Sequence, residues 1–496
     1  MPSFLASTPL LTSRKVAPAA VASLFVLVAV LGGVVIGSGN FVLTALVLAT
    51  LVGGLLLGST GIVVWAIIIG TLALSGPLIM HLPELRQLPW LFSMLGLLLA
   101  GASTLYIGSG AKLRRNDAPP HVAMAVAFVV YVIATSFIGE GALDEKISAM
   151  KRWFQFWGLL LIFATMPFTV KQVRRWVWAL LAIALIQLPF ALYQRIELVP
   201  LRLNMPDRVV PIDIVTGTLE AELWGAGNNN TMAYFLVVAA VGLIVAYRDG
   251  ALRLSRCLLG LALVGIPLGL GETKMVLLFL PVAFLVAFGD LVRKQPVKFA
   301  FASAFAAGVI ALFGFIYVAF QDSDGRSISI ESRIIENLEY NIGDKGHHGG
   351  GSLNRSNVVP FWWRQHGLQD PIRTTLGHGI GASFSSNSDP GVIDRQYSGY
   401  SVGLTGLSTL LWDVGILGAA MYIGILCVAG IAGVSLMRRS RPGLDHAFCS
   451  ALTASVFLQV LLVLVADLMF QAPSTQVLLM LTLGMIAWRW RSTEPV

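Results

Sequence analysis

Charged side chains are scarce in this chain, and several of those present fall where they could do chemistry. The run GLGETKM (269–275) sets Glu272 and Lys274 in a short hairpin between two apolar stretches. A charge there is costly unless it pairs or serves a site. Arg202 and Arg208 lie in a polar segment running from Arg195 to Asn230, and Arg355, Trp363 and Arg364 lie in a second, 321–403. Guanidinium groups grip phosphate through paired hydrogen bonds and an ammonium binds it as a point charge. The set therefore points to an anionic ligand, with ordinary solvated loop charge as the alternative. In TLGHGIGASF (375–384), three alternating glycines flank His378. Glycine lets a backbone turn sharply and approach a ligand, and a histidine can act as general base; a structural loop histidine is the plainer reading. Asp394 and Glu272 are further candidate bases. Asp413 and Asp467 stand inside apolar runs, where a carboxylate either serves a site or pairs with a neighbouring helix.

No metal centre or cofactor is expected. His347 and His348 are neighbours in a glycine run and make poor joint ligands. Cys257, Cys427 and Cys449 lack metal-ligand spacing and read as small apolar residues.

These residues must be held by membrane helices. Of 496 residues, 56% are hydrophobic and 12% charged, and the mean hydropathy is +0.78. A soluble domain carries about 25% charged residues. At about 20 apolar residues per crossing, the sequence holds about 14 spans. They fall near 17–37, 41–58, 60–80, 89–108, 121–139, 154–170, 175–194, 231–247, 257–272, 274–291, 299–320, 404–435, 446–470 and 475–490. The first reads as a retained span, not a cleaved signal peptide.

Basic clusters at Arg14/Lys15, Lys112/Arg114/Arg115, Lys171/Arg174/Arg175, Arg248/Arg253/Arg256, Arg293/Lys294/Lys298, Arg438/Arg439/Arg441 and Arg489/Arg491 occupy every second connection. The excess of Lys and Arg in cytoplasmic loops places all of them inside, with the N-terminus. That accounts for much of the net charge of +8 without nucleic acid. Both long polar segments then face outward. Within the second, 328–340 reads as a short amphipathic helix, 343–352 as flexible, and 357–372 as an interfacial helix mixing aromatic and cationic residues.

Three stretches together resemble the O-antigen ligase and polymerase superfamily. One comprises Arg355, Phe361-Trp362-Trp363, Pro371, LGHGIG (376–381) and LLWDVGILGAAMYIGIL (410–426), whose Asp413-x-Gly415 resembles the acidic-x-Gly lead into a family span. The second is the Gly- and Asn-rich GTLEAELWGAGNNNTMAYFL (217–236), behind a segment holding Arg202 and Arg208. The third is GETKMVLLF, with Lys274 where the family has arginine. The similarity covers roughly residues 195–435. The His-Asn pair of the ligases has no counterpart, since its place reads Leu404-Thr405.

The resemblance implies an all-α, GT-C-like transmembrane bundle of about 12–14 spans. Residues 1–194 would form N-terminal helices, 195–435 the ligase/polymerase-like core with its 321–403 loop, and 436–496 the C-terminal helices. It implies a bacterial inner-membrane glycosyltransferase working on the periplasmic side, with an undecaprenyl-pyrophosphate-linked glycan as donor and a second glycan as acceptor. Chain-length regulators or export proteins are implied as partners. Lacking the ligase pair, the chain sits closer to the polymerases than to the ligases. Arg208, Arg202, Lys274 and Arg355, with Arg364 and Trp363, would bind substrate without a metal, and His378, Asp394 or Glu272 would take the acceptor proton. A lipid-linked oligosaccharide flippase and a membrane scaffold are the rival readings.

Overall fold

The computed structural model describes residues 59–85, 87–109, 119–203, 211–221, 223, 228–320, 353–385 and 390–492. The expected spans 17–37 and 41–58, the segments 328–340 and 343–352, the Arg14/Lys15 and Lys112/Arg114/Arg115 clusters, His347, His348 and Arg208 lie outside them. The chain divides into Met1–Val63 and Val64–Val496.

The described residues are mostly helical, and no strand occurs among them. Among the described residues, seven helices are long and apolar enough to cross a bilayer: α1 (Thr60–His81), α2 (Leu88–Gly108), α3 (Pro120–Ile138), α6 (Val170–Leu203), α7 (Asn229–Arg248), α14 (Gly406–Arg439) and α15 (Leu444–Val465). Between them lie α4 (Leu143–Phe154), α5 (Trp157–Thr165), α8 (Leu254–Leu270), α9 (Met275–Phe288) and α10 (Pro296–Phe320). The second polar segment supplies α11 (Val358–Gln365), α12 (Pro371–Leu376) and α13 (Val392–Gln396), and α16 (Pro473–Arg491) is the last described helix. Helices α6 and α14 begin in capping boxes, Thr169 with Gln172 and Thr405 with Ser408, which satisfy the first free backbone donors.

Every residue of α16 from Ser474 to Trp488 is buried. A helix enclosed all round belongs to a core, and α16 is the post around which α5, α7, α14 and α15 pack. The expected span 154–170 differs from a plain crossing. Its helix α5 has 9 residues, about 13.5 Å at 1.5 Å per residue, too short for a bilayer core of about 30 Å. Non-helical residues flank it at 155–156 and 166–169. Gln476 Nε2 donates to Arg152 O at one end of α16, while Trp488 Nε1 and Arg491 donate to Phe168 O and Phe163 O at the other.

Five basic clusters gather at one end of the bundle. Arg248 pairs with Asp290 at 2.7 Å, Asp249 Oδ2 lies 2.6 Å from His446 Nδ1, and Arg489 Nη2 reaches Asp445 at 2.9 Å. These contacts join the C-terminal ends of α7, α9 and α16 to the start of α15. At the opposite end α15 finishes and α7, α14 and α16 begin, with Gly406 N donating to Ala466 O at 3.1 Å.

Candidate functional site

A buried, non-helical segment enters that second end. Residues 211–214 form one 3₁₀ turn, and Ile214, Val215, Thr216, Thr218 and Leu219 have no exposed surface. Irregular backbone persists at membrane depth only where protein satisfies its polar groups. Two glutamines of α6 do so. Gln194 Oε1 accepts from Thr216 N at 2.9 Å and Gly217 N at 2.7 Å, and its Nε2 donates to Gly217 O at 2.7 Å. Gln187 Oε1 accepts from Thr218 N at 2.7 Å. Helix α6 widens into a π-turn at Gln194–Leu198 and α1 into another at Gly70–Leu74. Within the second, Leu72 O accepts from Thr218 Oγ1 at 2.6 Å. Gly76 has no room for a side chain, because a Cβ would collide with the carbonyls of Thr218 and Leu219.

This segment delivers two carboxylates. Asp213 accepts from Asn229 Nδ2 at 3.2 Å, and Glu220 accepts from Asn228 Nδ2 at 3.4 Å and from Ser474 N and Oγ at 3.3 and 3.2 Å. Adjacent asparagines at the start of α7 thus each hold one. Around Asp213 stand three cations that act on it electrostatically: Arg202 from the end of α6, Arg355, and Lys274 just before α9. Burial pushes the Asp213 carboxyl above the ordinary carboxylate range, and those cations pull it back down. Burial likewise pushes Glu220 up to about 7. Burial also pushes Asp467 up to about 7, against the opposing pull of the Arg355 guanidinium. Arg355 is anchored, Nε donating to Val465 O at 2.9 Å. Lys274 follows a tight turn in which Glu272 takes φ 45°, a left-handed conformation costing a residue with a side chain about 1 kcal/mol. Such strain collects at functional sites. The Glu272 carboxylate pairs with Arg195 at 2.8 Å.

Three of the cations picked out in the sequence, from distant positions, thus act on one carboxylate. Asp213, Glu220 and their asparagines were missed as site residues. Their signal was the placement of Asp213, Glu220, Asn228 and Asn229 beside Arg202 within one polar segment, but only the re-entrant path turns them inward.

The glycine-rich loop serves a second cluster at the same end. Gly415 takes φ 67° inside α14 and breaks its ladder, leaving carbonyls for the loop. His378 N donates to Trp412 O at 2.8 Å and Gly379 N to Asp413 O at 2.9 Å. The Asp413 carboxylate accepts from Gly381 N at 2.6 Å and Ser383 N at 2.8 Å. Gly377 and Gly381 have φ 75° and 83°. They approach the α14 backbone and the Ala149 side chain of α4: a Cβ on Gly377 would sit 2.5 Å from Asp413 C, and one on Gly381 2.5 Å from Ala149 Cβ.

His378 is buried here, its Nε2 2.7 Å from His366 Nε2 and its Nδ1 3.5 Å from Glu140. Arg373 pairs with Glu140 at 2.8 Å. Burial, then the neighbouring His366, push the His378 pKa down. The charged groups acting on His378 are His366, Glu140 and Arg373, none of which is among the three cations acting on Asp213. Asp394, in the first turn of α13, is half-buried and bonded to the Ser385 side chain, with its pKa raised by burial. Arg364 and Trp363 are exposed on α11, while Trp362 is buried and stacks on His366. Among the described residues no three His, Cys, Asp or Glu side chains form a group that could hold a metal ion.

What the fold and site define is a multi-pass helical membrane protein with a partly buried, cation-rich polar site at one end of its bundle. No family model and no curated protein matches the chain in sequence.

Proposed function

We propose that the chain is a glycosyltransferase of the bacterial inner membrane that extends a polysaccharide on the periplasmic side, taking glycan from a polyprenyl pyrophosphate. The observation that carries this reading is that Arg202, Lys274 and Arg355 all act electrostatically on the half-buried Asp213. The basic clusters share the opposite end of the bundle, and with Lys and Arg favouring the cytoplasm the site opens outward, where lipid-linked repeat units are assembled. The sequence resemblance to O-antigen polymerases supports the substrate class.

A lipid pyrophosphate is already a good leaving group, so the protein has mainly to align it and neutralise it. The acceptor hydroxyl oxygen attacks the anomeric carbon from the face opposite the pyrophosphate. The bond from that carbon to the phosphate oxygen breaks, its electron pair stays on the polyprenyl pyrophosphate, and Arg202, Lys274 and Arg355 offset the charge. The hydroxyl proton passes to a carboxylate. Asp213 takes that role in preference to His378, whose ring faces His366 and Glu140, and the anomeric centre inverts.

The test is complementation of a strain lacking the gene. Arg355→Gln and Lys274→Gln should each abolish long polymer while single lipid-linked repeat units collect at the outer face. Normal polymer from both variants would sink the reading. A specific feature favours the flippase as second reading: broken helices and a re-entrant segment at a charged site are common in transporters. Repeat units retained on the cytoplasmic side of the deletion strain would decide for it.

A further inference from the structure

The outer segment carries apolar side chains that it does not bury. Leu368, between α11 and α12, is 87% exposed, and Ile372 and Trp363 are exposed with it. Contiguous exposed apolar surface marks a partner or a membrane, and the neighbours of this corner identify which. Arg373, the residue after Ile372, binds Glu140 at 2.8 Å. Glu140 N donates to His378 O at 2.7 Å, and Tyr131 of α3 donates to Val414 O at 2.8 Å and Thr375 O at 3.4 Å. Helix α12 therefore lies against the last turns of the span α3.

Those turns end in Phe137, 81% exposed, and in exposed Ile138. Beyond them α4 exposes Leu143 and Ile147, four residues apart on one helix face, while Ala149 and Trp153 are buried. Lys151 Nζ lies 2.9 Å from the ring centroid of Trp90, itself exposed at the start of the span α2. The exposed apolar edge is thus continuous with the outer surfaces of two membrane spans. It also carries the Trp, Lys and Arg side chains that settle at the boundary between lipid and water.

We propose that the Trp363–Ile372 corner and α4 rest in the interfacial layer of the lipid bilayer, so that the outer segment is anchored to the leaflet by its own apolar edge as well as by the helices it packs on. The occupant of this edge is phospholipid. The inference stands independently of the glycosyl-transfer reading.

The test uses the full chain in phosphatidylcholine/phosphatidylglycerol vesicles. Cys427, the exposed cysteine among the three, is replaced by Ala, and an environment-sensitive fluorophore is attached at Leu368→Cys, Ile372→Cys, Phe137→Cys or Ser398→Cys. Phe137→Cys serves as the span-end reference and the exposed Ser398→Cys as the aqueous one. Labels at 368 and 372 should be quenched by nitroxide lipids nearly as well as at 137, with iodide quenching at least threefold weaker than at 398. Iodide quenching at 368 equal to that at 398 would overturn the proposal. So would protection from iodide without quenching by nitroxide lipid, which would mean that protein covers the edge.

Discussion

Replacing Asp213 by Asn tests the site most directly, because it separates holding an anion from moving a proton. Asn keeps the Oδ1 that accepts from Asn229 Nδ2 at 3.2 Å and removes one negative charge from among Arg202, Arg355 and Lys274. On the proposed function, that carboxylate in the wild type competes with an incoming pyrophosphate for the same three cations. Two unit charges about 7 Å apart at an effective dielectric constant of about 20 repel by roughly 2.4 kcal/mol. With 1.4 kcal/mol per factor of ten, and part of the repulsion screened, Asp213→Asn should bind inorganic pyrophosphate about 10- to 50-fold more tightly. Loss of a general base costs about 10²–10⁴ in rate, so kcat should fall by that factor. The wild-type rate should in turn fall as acidification protonates Asp213, at a pH above the usual carboxylate pKa of about 3.9. The assays are inhibition by pyrophosphate and polymer formation from lipid-linked substrate in vesicles. Binding no tighter than wild type would refute the account of the cations. Turnover within about threefold of wild type would refute the base, since that is far below the expected loss.

Three further outcomes follow from the packing. Gly415→Ala forces a side chain into φ 67° and against Thr375 O, so the thermal midpoint should drop by an amount corresponding to about 3 kcal/mol or more; an unchanged midpoint would mean that the kink can relax. Gln194→Leu strips three hydrogen bonds from Thr216 and Gly217, and at about 1–3 kcal/mol for each buried group left unsatisfied both stability and activity should fall. Gln194→Glu, which keeps the two acceptor contacts, should lose less. The lowered pKa values of His366 and His378 mean that the unfolded chain takes up protons first below about pH 6.5. Stability is therefore greatest above that pH and falls as pH drops beneath it. A His366→Asn, His378→Asn double variant should show a flatter thermal profile between about pH 7 and pH 5, and an identical slope would remove the pair from the account.

Much of the architecture was legible because lipid imposes a simple demand. Runs of about 20 apolar residues must be helices, and seven of those expected correspond to helices long enough to cross. The run at 154–170 shows the limit of that logic. Its composition is apolar because it is buried against α16, so it needs no unbroken helix to traverse the bundle, and only the contacts at its two ends reveal its course. Likewise α16 carries Ser474, Thr475, Gln476 and Thr482 because it meets protein on every side, which no periodicity distinguishes from a polar loss of signal.

The cations behave differently from the glycine-rich loop. Arg202, Lys274 and Arg355 could be singled out one by one, since an isolated charge beside apolar spans is expensive wherever the chain runs. That their common focus is Asp213 depends on a buried segment held by Gln187 and Gln194 and admitted by two π-turns, none of which leaves a local pattern. Three glycines around a histidine specify only that two surfaces come very close. That the second surface is the kinked backbone of α14, with Asp413 as its anchor, is decided by packing. The sequence alone determined that the chain is a helical membrane protein with scarce, clustered charge, because solvent chemistry acts on each residue separately. Tertiary structure decided which of those charges face one another, because that depends on where distant helices end.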